Sequence, residues 1–146
     1  MSDFNNEINR VKRERDAPSQ SKSAEPASFD DIDMSVLLGF EEAQCEGEPD
    51  LIVELIDLYL ADVPQQLSAM RDGVLKSDRD SLKRAAHTLK GSSANLGVNA
   101  VTVLCEELEL TDSSESFQSS NILINRLEQT FARVRPVFLA ERQSRA

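Results

Sequence analysis

The chain predicts an all-α fold: an antiparallel four-helix bundle, preceded by a short N-terminal entry helix and a disordered N-terminal tail. Three observations carry that expectation. Four long segments repeat apolar residues at helical spacing, and no segment alternates as a strand would. Their connections are mostly short, which makes successive helices antiparallel neighbours. Apolar residues make up 40% of the chain but aromatics only 5%, with no Trp, so the core must be aliphatic, as in a helical bundle.

At 146 residues the length supports one domain with some to spare for a tail. The expected division is a tail over 1–28, the bundle over 29–141 and a C-terminal tail over 142–146. The first stretch is poor in large apolar residues, and Ala17 to Pro26 is rich in Ser and Pro, a composition that stays disordered. Asn9 to Arg15 can form a transient helix. Its basic cluster of Arg10, Lys12, Arg13 and Arg15 reads either as a solvated tail or as a dock for an acidic surface.

Phe29 to Leu38 is the entry helix, with acids at its start as the helix dipole favours. A long helix over about 50–75 follows, with Pro49 in its first turn, where no amide partner is lost. Its stripe is Ile52, Leu55, Ile56, Tyr59, Val63, Leu67, Met70 and Val74, and a second seam of Leu51, Leu55, Leu58, Asp62 and Gln65 is apolar only in part. Pro64 should kink this helix, since it lacks an N–H and crowds the preceding turn.

Ser77-Asp78-Arg79-Asp80 offers a capping start for the next helix, which runs to about Asn95 and stops at Gly97. A further helix covers about Val98 to Leu110, with Val98, Val101, Cys105 and Leu108 inward. Thr111 to Ser120 reads as a loop. The last helix starts near Asn121 with the stripe Ile124, Leu127, Phe131, Val134 and Phe138, and Pro136 should bend or end it.

Composition removes several function classes. A net charge of −10 and a pI near 4.6 argue against nucleic acid, whose phosphates need clustered Lys and Arg. Two cysteines without metal-like spacing and a single histidine give no zinc site; Cys45 and Cys105 read as reduced thiols, Cys105 packing as a small hydrophobe. No apolar signal core opens the chain and no run approaches the roughly 18 residues of a membrane span, so a soluble, cytoplasmic protein is expected.

The chemistry concentrates on that histidine. At about 100° per residue, Leu82, Ala86, Leu89, Ser93 and Leu96 form one stripe, and His87 lies roughly 140° from its centre, on the water side. Lys83, Lys90 and Ala94 share that side, with Gly91 one turn beyond His87. No nucleophile–base set and no paired-His metal spacing accompanies it, so the candidate nucleophile is the imidazole itself, able to accept and release a group covalently. Lys90 can offset negative charge on a group attached to the ring, and Lys83 adds positive field. Gly91 costs about 1 kcal/mol against Ala in a helix interior and opens room for a phosphoryl group and an incoming partner. Ser92 can donate to a phosphoryl group or to its own preceding turn. An idle surface histidine, or one paired to a carbonyl in the core, is the plainer reading; the lysine and the glycine weigh against the first, the helical angle against the second.

His87-Thr88-Leu89-Lys90-Gly91-Ser92-Ser93-Ala94-Asn95-Leu96-Gly97 resembles the signature of histidine-containing phosphotransfer (HPt) domains of two-component phosphorelays. The likeness extends over about residues 31–140, including Asp62-Val63-Pro64 and Cys105-Glu106-Glu107-Leu108-Glu109. It implies a phosphorelay carrier in which His87 accepts a phosphoryl group from an aspartyl phosphate on a receiver domain and passes it to another receiver. Lys90 would stabilise phosphohistidine and Gly91 would give access. Implied partners are receiver domains of response regulators and of hybrid sensor histidine kinases, which bring their own Mg²⁺. The carrier itself would need no cofactor or metal, would have no kinase activity of its own and would be a monomer. Glu109 stands where some members have Gln; its carboxylate would either repel the phosphoryl group or pair with Lys90. Two other classes remain: a helical interaction module that binds receivers or kinases without being phosphorylated, and an enzyme using His87 as a general base, for which partner residues are lacking.

Overall fold

The computed structural model describes residues 31–111 and 116–145, and every described element is helical. The tail over 1–28, its basic cluster, and Phe29 and Asp30 of the expected entry helix lie outside the described residues. Helix α1 (Met34–Leu38) leads into a 3-10 turn over Gly39–Ala43. Four longer helices follow: α2 (Leu51–Leu75), α3 (Arg79–Asn95), α4 (Asn99–Glu109) and α5 (Phe117–Ser144). Each packs on its neighbour in sequence, and α5 closes the ring against α2. This is the four-helix bundle the apolar stripes require.

The caps explain the boundaries. Asp50 accepts hydrogen bonds from the Ile52 and Val53 amides and starts α2, so Pro49 lies just outside the helix instead of in its first turn. Asp78 accepts from the Ser81 amide and starts α3. Its carboxyl is held below the usual range by the Ser81 hydroxyl and amide, which favour the charged cap. At the far end Gly97 takes φ +79°, the left-handed conformation that closes a helix after its last turn.

Several boundaries differ from expectation, each for a local reason. The helical part of the entry segment begins at Met34, because Asp33 is the cap and accepts from the Ser35 amide. Helix α5 starts at Phe117, four residues early, because Ser116 accepts from the Gln118 amide. The serine-rich run that reads as loop therefore supplies a cap and a first turn. Both Pro64 and Pro136 lie inside unbroken helices. Each is exposed, where water can serve the carbonyl left without a donor.

The expected C-terminal tail over 142–146 is also corrected. Helix α5 runs on to Ser144, and its end is fastened by ions. Arg142 grips Asp57 through two bonds of 2.6 and 3.1 Å. Arg145 reaches Glu41, Asp50 and Glu141 at 2.5, 3.2 and 2.9 Å. The arginines tie the end of α5 to the start of α2.

The core is the aliphatic one expected. Ile52, Ile56, Val63, Leu67 and Met70 of α2 meet Leu82, Ala86 and Leu89 of α3, Val101, Cys105 and Leu108 of α4, and Ile124, Leu127, Val134 and Phe138 of α5. Gly73 lets α2 and α3 touch: a Cβ there would sit 3.0 Å from the Leu82 amide nitrogen.

A buried polar pair joins α2 to α3. Tyr59 and Ser93 are buried and share a hydrogen bond of 2.7 Å between hydroxyls. The Tyr59 ring stands edge-on to Phe131 and Phe138. Burial pushes the Tyr59 phenol well above its ordinary range, so it stays neutral. Tyr59→Phe and Ser93→Ala should each cost about 1–2 kcal/mol by stranding the partner hydroxyl. The double variant should lose clearly less than the sum in urea unfolding; strict additivity would show that the pair is not coupled.

Candidate functional site

Helices α3 and α4 lie side by side, and the last residue of α4, Glu109, reaches the exposed face of α3. The His87 side chain stands 70% exposed there. Its Nδ1 is 2.8 Å from Glu109 Oε2, and Lys90 Nζ is 2.7 Å from Glu109 Oε1. One carboxylate thus bridges the ring and the ammonium.

The charges in this bridge are mutually supporting. Burial alone would raise the Glu109 carboxyl, but the contacts with Lys90 and His87 outweigh it and hold the group below the ordinary range. The contact with Glu109 in turn raises Lys90 above its ordinary value, against a smaller opposing effect of burial. At neutral pH the site therefore holds a carboxylate and an ammonium.

The remaining candidates fall in different places. Gly91 is exposed, and a Cβ built on it meets nothing within 4 Å. Neither backbone strain nor packing demands a glycine, so what its missing side chain contributes is open surface one turn from His87. Lys83 lies one turn before the histidine on the same helix. Ser92 turns away: its hydroxyl donates to the Leu89 carbonyl at 3.2 Å, the preceding-turn alternative. Cys105 packs beneath, fully buried, and burial pushes its thiol up to about 12, so it is an inert hydrophobe.

A groove of about 340 Å³ opens on the α2 flank of α3, lined by Leu55, Leu58, Tyr59, Asp62, Ser92, Asn95 and Leu96. Leu58 stands 69% exposed at its edge. Apart from Ser92, the sequence singles out none of these residues as a site residue. The signal lies in the partly apolar seam of Leu55, Leu58 and Asp62, whose mixed character suits a half-open surface.

The family model of the Hpt domain matches residues 54–135, which spans all of α3 and α4 and most of α2 and α5. The chain belongs to the Hpt domain family. A crystal structure of histidine-containing phosphotransfer protein B from Pseudomonas aeruginosa PAO1 is 30% identical and superposes with a TM-score of 0.72, covering 80% of this chain and 98% of that one. No match is found among curated proteins. As an Hpt protein the chain is a histidine phosphotransfer carrier of phosphorelays. Among the described residues no helix is long and apolar enough to cross a membrane, and no group of side chains could hold a metal ion.

Proposed function

We propose that His87 is the phosphoacceptor, taking the phosphoryl group from an aspartyl phosphate on one receiver domain and handing it to the aspartate of another. The observation that carries this reading is the exposed imidazole, hydrogen-bonded on one nitrogen and flanked by Lys90 and the open surface at Gly91. In the first step a ring nitrogen of His87 forms a bond to phosphorus while the P–O bond to the aspartate breaks, the electron pair leaving on the carboxylate. The second step reverses this with a new carboxylate as nucleophile.

Transfer of this kind is mostly positioning and charge stabilisation. The chain therefore needs only a rigid helix, a nucleophile and a nearby cation, and α3 supplies all three. The receivers would bring Mg²⁺; no cofactor is assigned to this chain. Their docking would use the open surface around Gly91 and Ala94 together with the α2 edge at Leu58. Receiver domains of response regulators and hybrid sensor histidine kinases fit that chemistry, with the protein acting as a cytoplasmic monomer.

The test is a phosphotransfer profile against receiver domains. Acid-labile, alkali-stable label should appear on the wild type and be absent from His87→Gln. Equal label on both proteins would move the phosphoacceptor elsewhere. Tight receiver binding with no label on the wild type would leave an interaction module.

A further inference from the structure

The groove on the α2 flank of α3 is apolar in its middle and acidic along its outer edge. Leu55, Leu58 and Leu96 line it together with Asp62. On α2 the row Glu54, Leu58, Asp62 repeats every four residues, so the exposed leucine has a carboxylate one turn to either side. Elsewhere on this helix and its cap the acids are taken, Asp57 by Arg142 and Asp50 by Arg145. Among the described residues no cation pairs with Glu54 or Asp62; the polar partner of Asp62 is the Gln66 amide, at 3.1 Å.

The chain carries the complement of this surface near its own start. Within residues 8–15 four cations, Arg10, Lys12, Arg13 and Arg15, stand against one carboxylate, Glu14. Phe4, Ile8 and Val11 share one face at helical spacing, and Arg15 continues that row by a further turn. An apolar row that ends in a cation matches an apolar groove edged by carboxylates.

The point of attachment suits such a contact. Asp31 begins the described chain against the α3–α4 corner, where its carbonyl accepts from the Ala100 amide at 3.2 Å. The Asp33 amide donates to the Gly97 carbonyl at 2.8 Å, and Gly97 follows Leu96, a wall of the groove. Residues 16–30 thus tether the basic segment beside it. A coil of about 15 residues averages about 20 Å end to end and spans at most about 50 Å. The groove edge from Leu55 to Asp62 needs about 10 Å of α2.

We propose that the segment over residues 4–15 docks in the α2–α3 groove of its own chain, Phe4, Ile8 and Val11 against Leu55 and Leu58, and its cations toward Glu54 and Asp62. A weak contact suffices. Tethering at this range sets an effective concentration of about a millimolar, so a dissociation constant of about 0.5 mM would cover the groove in about two thirds of the molecules. The consequence rests on the phosphocarrier reading: a molecule so covered has no free Leu58 edge for a receiver. The segment therefore lowers receiver-dependent transfer without occupying His87, which is bonded on its α4 side to Glu109.

The experiment is amide NMR of the ¹⁵N-labelled full-length chain as wild type, as Arg10→Glu/Arg13→Glu/Arg15→Glu and as Phe4→Ser/Ile8→Ser. The second variant keeps the net charge and so separates docking from a general electrostatic effect. Both should move the amides of Leu55, Leu58, Asp62 and Asn95 in the same sense and leave those of α5 in place. With limiting amounts of a phosphorylated receiver, both should take label about threefold faster than wild type, as release of about two thirds of the molecules requires. Groove amides unmoved in both variants would overturn the docking. Shifts that fade when the wild type is diluted would put the segment on a second copy and overturn its place on its own chain. Moved groove amides with an unchanged transfer rate would overturn the competition with receivers. No label on the wild type or the variants from any receiver would overturn the carrier reading, while the groove amides still decide the docking.

Discussion

Gly97→Ala is expected to destabilise the bundle by about 3 kcal/mol, an outsized effect for one methyl group. Two costs combine. The residue sits at φ +79°, where a side chain is strained whatever the space around it. The added carbon would also lie 2.5 Å from the Asp33 carbonyl oxygen and 2.9 Å from Val36 Cβ. Asp33 donates its amide to the Gly97 carbonyl at 2.8 Å, so the clash falls on the contact that seats the entry segment over the α3–α4 corner. Urea unfolding should show a lower midpoint with an unchanged slope. A loss below about 1 kcal/mol would mean that this corner relaxes freely and that the entry segment contributes little to the fold.

That corner also shows what a sequence can and cannot make visible. Gly97 as a helix stop is a local signal, because left-handed backbone after a helix favours glycine wherever it occurs. Its second duty, admitting the Asp33 carbonyl, depends on a distant segment at the start of the bundle and has no local trace. The same division runs through the rest of the chain. Apolar stripes place Leu82, Ala86 and Leu89 inward and His87 outward, since a helix has only one period. The end of α5 is hidden from sequence because its anchors are ion pairs across the bundle, Arg142 to Asp57 and Arg145 to Glu41. Pro136 suggests a stop that those anchors and an exposed position make unnecessary.

The site divides in the same way. His87, Lys90 and Gly91 share one helical face, and their association follows from spacing alone. Glu109 joins them only through the packing of α4 on α3, 22 residues away in sequence. Periodicity puts it near the end of its helix but says nothing of which neighbour it meets. Repulsion of phosphate and pairing with Lys90 therefore both stand open in the sequence, and the structure brings the carboxylate to lysine and histidine together. For Ser92 the opposite holds: it points down the α2 flank, and its hydroxyl is spent on Leu89.

Gly91→Gln should lower receiver-dependent transfer by about tenfold or more, because misplacing the partner by a fraction of its contact distance is enough to spoil in-line attack. The same change should raise stability by up to about 1 kcal/mol, since it removes a glycine from an exposed helix interior. Opposite signs in the two measurements are the useful feature. A variant that lost transfer by unfolding would lose both together. Gly91→Ala should fall between, gaining the stability with a smaller loss of rate, as its Cβ meets nothing within 4 Å in the isolated protein. Phosphoramidate, a small phosphoryl donor, supplies the control: it is small enough to reach the imidazole past a glutamine, so labelling by it should persist in both variants. Loss of receiver transfer with retained chemical labelling would place the effect at docking of a protein partner. Normal receiver transfer in Gly91→Gln would remove access as the reason for this glycine, and equal loss with both donors would place its effect on the imidazole itself.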